Sequence, residues 1–507
     1  MSQESFSCAG NLEVIFPSLH AIIHVSMRYP DLAVIAVYLV AITWFGARFK
    51  NSQKSLKDYF LGGRDAPWWA IALSLVSAET SVLTVIGTPA LSYAGNFGFL
   101  QLILGYLLGR IVISVLFLPQ YFRGEMFTAY ELMQRRFGPN IRKFTAGLFL
   151  LLRALAEGVR VFAVSIVISI VLGTGEVASI ALITALTLIY TFQGGMTAVI
   201  WTDVVQMILY IGGAIGSLFL ILNLIPGGWH HVAATAAPLG KFHVFDFRFA
   251  LDSTFFHRNY SFWAGLIGGC FLTMASHGTE QLMVQRLLSA RSEASSRLAL
   301  FASWAVVFLQ FSLFLVIGLV LFVYDRNGKG AAASVPERIY PQFVWDHLPV
   351  GLAGLVIAAI LAAAMSNLSA ALNALASTTV MDFYRVMRPG LTESFYLGLA
   401  RWATVAWGVI LFGVGLFARH WGRVLEAGLS IASVLYGALL GVFLLGLLTR
   451  RPGERSAIAG MIAGLAAILL FRQAVAYTWY VLVGSLATFI VGYLASFVFR
   501  DAPKVHA

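Results

Sequence analysis

Charge is scarce in this chain. Asp, Glu, Lys and Arg make up 11% of its 507 residues, against 59% hydrophobic. A soluble domain needs a polar surface, and no stretch supplies one of useful size. Cysteine is nearly missing too. Cys8 and Cys270 lie in unrelated surroundings, which excludes a disulfide framework. The sequence also lacks a P-loop, a zinc-ligand spacing and a nucleophile with a plausible base, so an enzyme is not expected. The glycine pairs at 194–195 and 227–228 read as turns rather than phosphate cradles.

What is present is apolar sequence from end to end. About thirteen runs are long enough to cross a bilayer, which makes this an all-α, multi-pass membrane protein. The net charge of +11 does not point to nucleic acid, because the basic residues sit at span ends on alternate sides. Arg48, Lys50, Lys54, Lys57 and Arg64 mark one inner loop; Arg123, Arg135, Arg136, Arg142 and Lys143 mark the next; Arg286, Arg291 and Arg297 mark another. That pattern puts the N-terminus outside a plasma or inner membrane and the C-terminus in the cytoplasm. MSQESFSCAGNLEVIF has no basic n-region, so residues 1–30 are expected to remain as a short extracytoplasmic segment.

Two of the spans carry interruptions. The run at 68–94 contains Ser77, Glu79, Thr80, Ser81 and Thr84, then the turn-forming Gly87, Thr88 and Pro89. The run at 260–289 contains His277, Gly278, Thr279, Glu280 and Gln281. Broken helices are tolerated at that depth where freed backbone lines a cavity or holds an ion, and two of them five spans apart point to an inverted five-plus-five repeat. The divisions expected are a first helix at 31–49, repeat halves at 68–224 and 260–448, two further helices within 456–500, and a tail at 501–507.

A third apolar helix, Ala358 to Asp382, carries polar residues. At 100° per residue Ser366, Ser369, Asn373 and Ser377 share one stripe, with Asn367 one step round. Serines bonded back to their own carbonyls would account for it, and so would oxygen ligands for a hard cation at the bilayer midplane. Asp203 is an intramembrane carboxylate and by that fact a functional candidate, unless it only faces the cytosol. Arg153, Glu157 and Arg160 are spaced to pair along one helix face. They form either an internally neutralised triad or a guanidinium left to hold a solute carboxylate. Glu79, His277 and Gln281 stand at the interruptions, where each either contacts solute or serves packing and capping.

Taken together, DYFLGGR, SAETSVLTVIGTPA, TAYELMQRRFG, GGMTAVIWTDVVQ, GTEQLMVQR, AAAMSNLSAALNA and GVFLLGLLTRRPG resemble the sodium/solute symporters, which include sodium-coupled sugar, sialic acid, proline, iodide and vitamin carriers. The resemblance covers nearly the whole chain and implies a leucine-transporter-type inverted repeat with one extra helix before it and two after. It also implies a sodium site made of backbone oxygens at Ser77 and Thr80, the carbonyl of Ala363, and side chains at Ser366 and Asn367. Asn367 replaces the family's serine or threonine. A second sodium would use Asp203, Ser366 and Ser369, with Ala370 standing where another ligand serine belongs.

For the solute, Ser81 and Thr84 match polar positions of the sialic acid carriers. The arginine of those carriers aligns near Ala156, out of register with Arg153 and Arg160. Thr273 and Ser276 stand where the galactose carriers have an asparagine and a gating tyrosine. The function implied is import of a small polar solute (a sugar, sugar acid or monocarboxylate) coupled to one or two sodium ions by alternating access. The rivals are proton coupling through Asp203 or His277, and a solute sensor that does not transport. The second is not expected of a chain ending at Ala507, just after its last span.

Overall fold

In hydrocarbon every backbone N–H and C=O must be satisfied within the chain, so apolar runs of this length fold as helices. The structure, a computed structural model, describes residues 28–48, 64–123, 129–190, 196–249, 253–326, 335–384, 387–388 and 390–499. Most of the N-terminal segment, most of DYFLGGR, the turn at 193–195 and the tail lie outside the described residues. Among those described there is no strand, only one isolated bridge between Ala66 and Ala290.

The helices run α1 (Tyr29–Ala47), α2 (Trp68–Glu79), α3 (Val82–Ala94), α4 (Leu100–Tyr121), α5 (Ala129–Arg136), α6 (Pro139–Leu172), α7 (Glu176–Tyr190) and α8 (Met196–Leu224). Two short helices follow, α9 (Gly228–Ala236) and α10 (Ser253–His257). Then come α11 (Gly269–Gly278), α12 (Gln281–Leu288), α13 (Glu293–Arg326), α14 (Ile339–His347), α15 (Leu352–Thr378), α16 (Glu393–Ala418), α17 (Val424–Leu448), α18 (Glu454–Phe471) and α19 (Tyr480–Val498). Among the described residues, seven helices are long and apolar enough to cross a membrane, and the bent pair α2–α3 makes an eighth.

The first interruption is narrower than the sequence suggests. Only Thr80 and Ser81 leave the helix, and α2 meets α3 at 65°. Ser81 is extended and its side chain accepts from the Leu83 N–H at 3.2 Å, so it starts α3 as an N-cap. Gly87, Thr88 and Pro89, expected to form turns, lie inside α3. Helix α13 comes very near this part of α3: a Cβ on Gly318 would sit 2.0 Å from the Pro89 carbonyl oxygen. The second interruption, at Thr279 and Glu280, is where the sequence places it.

Packing divides the helices into two groups. In one, α13 packs on both halves of the first broken span and α4 packs on α11. In the other, α6 packs on α7, α15 and α16; α8 packs on members of both groups, and so does α17. Small residues allow the closest seam. Gly105 of α4 faces Gly265 and Gly269, and Gly109 faces Cys270 and Thr273; a Cβ on Gly105 would meet the Gly265 carbonyl oxygen at 2.2 Å. Such backbone contact cannot relax around a side chain. Gly105→Leu is expected to destabilise the protein by about 2 kcal/mol or more through overpacking. A melting temperature equal to the parent's would contradict this seam.

Candidate functional site

The break at Thr80–Ser81 sets up the chemistry. Thr80 closes α2 through its N–H to the Val76 carbonyl at 2.8 Å. Beyond that bond, among the described residues, no backbone N–H reaches the carbonyl oxygens of Ser77, Ala78, Glu79 or Thr80. These oxygens end a half-helix inside the protein, where the helix dipole concentrates partial negative charge. A hard cation suits such a place.

A small cavity lies beside the break. Its walls are Ser81 and Val82 from the start of α3, Arg160, Val161 and Val164 from α6, and Ala364, Asn367 and Leu368 from α15. Three sequence candidates, Ser81, Arg160 and Asn367, therefore meet. Thr84 is buried one turn further along α3 and is not among the lining residues. Ala363, Ser366 and Ser369 belong to α15 by backbone, but their side chains lie outside the described residues.

Arg153, Glu157 and Arg160 pair as their spacing predicts. Glu157 Oε1 lies 2.9 Å from Arg153 and 2.5 Å from Arg160. The set is larger than the sequence suggests, because Arg153 also holds Glu280 in the second break at 2.8 Å, and the Tyr436 hydroxyl of α17 donates to the same carboxylate. Two guanidinium groups and two carboxylates thus neutralise one another. Glu157 is fully buried with Oε2 unpartnered, whereas the Arg160 side chain keeps 27% of its surface exposed.

Glu79 and His277, left open by the sequence between solute contact and packing or capping, face each other. Arg110 of α4, fully buried, holds Glu79 Oε2 at 2.7 Å, and His277 Nε2 lies 3.4 Å from both. Ser276 lies 2.9 Å from His277 Nδ1. The cluster ties the end of α2 to the end of α11. Removing either charge would strand the other, at a cost of about 3–5 kcal/mol for a buried pair. Gln281 lies elsewhere again: its Oε1 accepts from the Ala129 N–H at the start of α5, so it caps an inner helix.

Asp203 is buried and already has partners. Its Oδ2 accepts from Ser74 at 2.7 Å and from Arg286 at 3.1 Å, and Arg286 also reaches the Ser74 hydroxyl at 3.0 Å. Arg286, assigned from the sequence to an inner loop, is a buried member of α12. Sequence reasoning missed Arg110, Glu280 and Tyr436 as well. Arg110 had a signal, being a lone arginine within the apolar run LLGRIVIS. Glu280 had one too, as a carboxylate at the second interruption, but Tyr436 had none, since its partner is more than a hundred residues away.

The comparisons agree with this geometry. The profile of the Sodium:solute symporter family matches residues 59–464. The mouse sodium-coupled monocarboxylate transporter 2 is 28% identical over 86% of this chain and 71% of its own. The sodium/sialic acid symporter SiaT of Proteus mirabilis is 28% identical over 94% and 96%. A solved Na+-coupled sialic acid symporter, substrate-bound and outward-open, superposes with a TM-score of 0.79 at 28% identity, covering 94% of this chain and 98% of that one. The all-helical architecture with its two breaks is the leucine-transporter type expected from the sequence. The chain belongs to the sodium:solute symporter family.

Proposed function

We propose that this sodium-coupled symporter carries a small solute bearing a carboxylate, held by Arg160. The observation that carries the reading is the position of Arg160, a part-exposed guanidinium in the wall of the cavity at the break. Arg153 meets two carboxylates in the interior, whereas Arg160 shares one oxygen of Glu157 and opens to the cavity. A planar guanidinium matches a carboxylate bidentately. Ser81 and Asn367 offer hydrogen bonds to the rest of the solute, and Val82, Val161, Val164 and Leu368 cover its apolar parts. The monocarboxylate and sialic acid relatives carry solutes of that class.

For sodium, the proposed ligands are the freed oxygens at Ser77 and Thr80, the Ala363 carbonyl, and Ser366 with Asn367. Asp203 and Ser369 are left out of the set, because Asp203 already accepts from Arg286 and Ser74. Sodium at the break would fix the angle between α2 and α3, and with it Ser81 in the cavity wall. Each ligand then strengthens binding of the other by the same factor. One charge moving down 100 mV supplies about 2.3 kcal/mol, and a tenfold gradient about 1.4 kcal/mol more. Opening to the inside requires release of α2 from α12, where Asp203, Ser74 and Arg286 join the two and Arg291 reaches the Asp65 carbonyl. We also propose that thirteen spans cross the membrane with the N-terminus outside, as the basic residues indicate. Impermeant labelling of single cysteines at the two ends, from either side, checks that orientation.

Two measurements test this reading. In purified protein, sodium should raise the melting temperature, and Ser366→Ala should lose most of that rise; equal sodium responses would remove the proposed ion site. With sodium present, monocarboxylates or sugar acids should stabilise further while their amides do not. Arg160→Gln should weaken that response at least tenfold, as expected for loss of a charge-assisted pair. Amides that bind as well as acids would end the carboxylate assignment.

A further inference from the structure

Two side chains behind the break are left without partners by everything described so far. Gln310 of α13 donates from Nε2 to Thr80 Oγ1 at 2.5 Å, and its Oε1 is buried with no hydrogen bond. The hydroxyl of Tyr210, on α8, faces the side chains of both Ser77 and Thr80 but meets neither with full hydrogen-bond geometry. Both residues are 2% exposed. A buried oxygen without a partner costs about 1–3 kcal/mol. Two such oxygens meet at the first place where a span leaves its hydrogen-bond ladder.

We propose that Gln310 and Tyr210 are positioning residues that set the affinity of the break for sodium without touching the ion. This rests on the reading that sodium sits at the freed oxygens of Ser77 and Thr80. A cation there draws the oxygen lone pairs of the unwound segment toward itself. The charge of a cation on these carbonyls also repels the neighbouring Ser77 and Thr80 hydroxyl protons, which turn away from it and need acceptors. Tyr210 Oη and Gln310 Oε1 are the oxygens placed to accept them, on two of the helices against which α2 packs. Turning the Gln310 amide about its own axis exchanges Nε2 for Oε1 next to Thr80. In the sodium-bound arrangement both oxygens are paired, and both hydroxyls and the segment between them are held in ligating orientation.

The experiment follows sodium-dependent thermal stabilisation of the purified full-length protein as Tyr210→Phe, Gln310→Met and Gln310→Glu, beside Ser366→Ala. Tyr210→Phe and Gln310→Met should each raise the half-maximal sodium concentration about tenfold, equivalent to ~1.4 kcal/mol. Gln310→Glu keeps an acceptor and should titrate with sodium at least as tightly as the parent. If Tyr210→Phe and Gln310→Met lower the sodium-free melting temperature but titrate like the parent, both residues only pack and the inference is overturned. It is equally overturned if Gln310→Glu loses sodium as Gln310→Met does. If Ser366→Ala also titrates like the parent, the ion is not at the break; the sodium reading then falls, and this inference with it.

Discussion

A peptide group cannot go unpaired in hydrocarbon, and the organisation of this protein follows from a place where that rule is suspended. The first broken span gives up its ladder for two residues, Thr80 and Ser81, and the surroundings are built to make that bearable. Ser81 caps the helix that resumes, Gln310 reaches in from α13, and the cavity opens on the side toward α6 and α15. The carbonyls that remain without backbone partners have cation-binding character because nothing else in the described structure answers them.

Charge inside the bilayer obeys a similar constraint. Glu79 is met by Arg110, Asp203 by Arg286, and Glu157 with Glu280 by Arg153 and Arg160. Each group is close to neutral by itself, so an anionic solute arriving at Arg160 adds a charge that the protein alone does not balance. A cation bound nearby lowers the cost of that addition. Coupling of the two then needs little more than their closeness in a medium of low dielectric constant.

The fold was largely legible in the sequence because it is written in runs of about 20 apolar residues and in seven motifs that keep their order. The site was legible only where a chemical type betrays itself locally. Arg153, Glu157 and Arg160 are on one helix, so their pairing followed from spacing alone. The partners of Glu79 and Asp203 did not, since Arg110 and Arg286 come from other spans and the latter imitates a loop residue. Pro89 misled because a turn-forming residue type does not reveal locally whether it ends a helix or sits within one, as it does in α3.

The glycine seam between α4 and α11 has a mechanical meaning. Helices that touch backbone to backbone have no side chains between them to act as bearings, so neither can roll on the other. The Pro89–Gly318 contact joins α3 to α13 in the same way. These pairs act as splints, each of which travels as a unit. The bending needed to open one side and then the other is thereby concentrated at the two unwound joints, Thr80–Ser81 and Thr279–Glu280. The first joint lies at the proposed ion site, and the second is gripped by Arg153 and Tyr436.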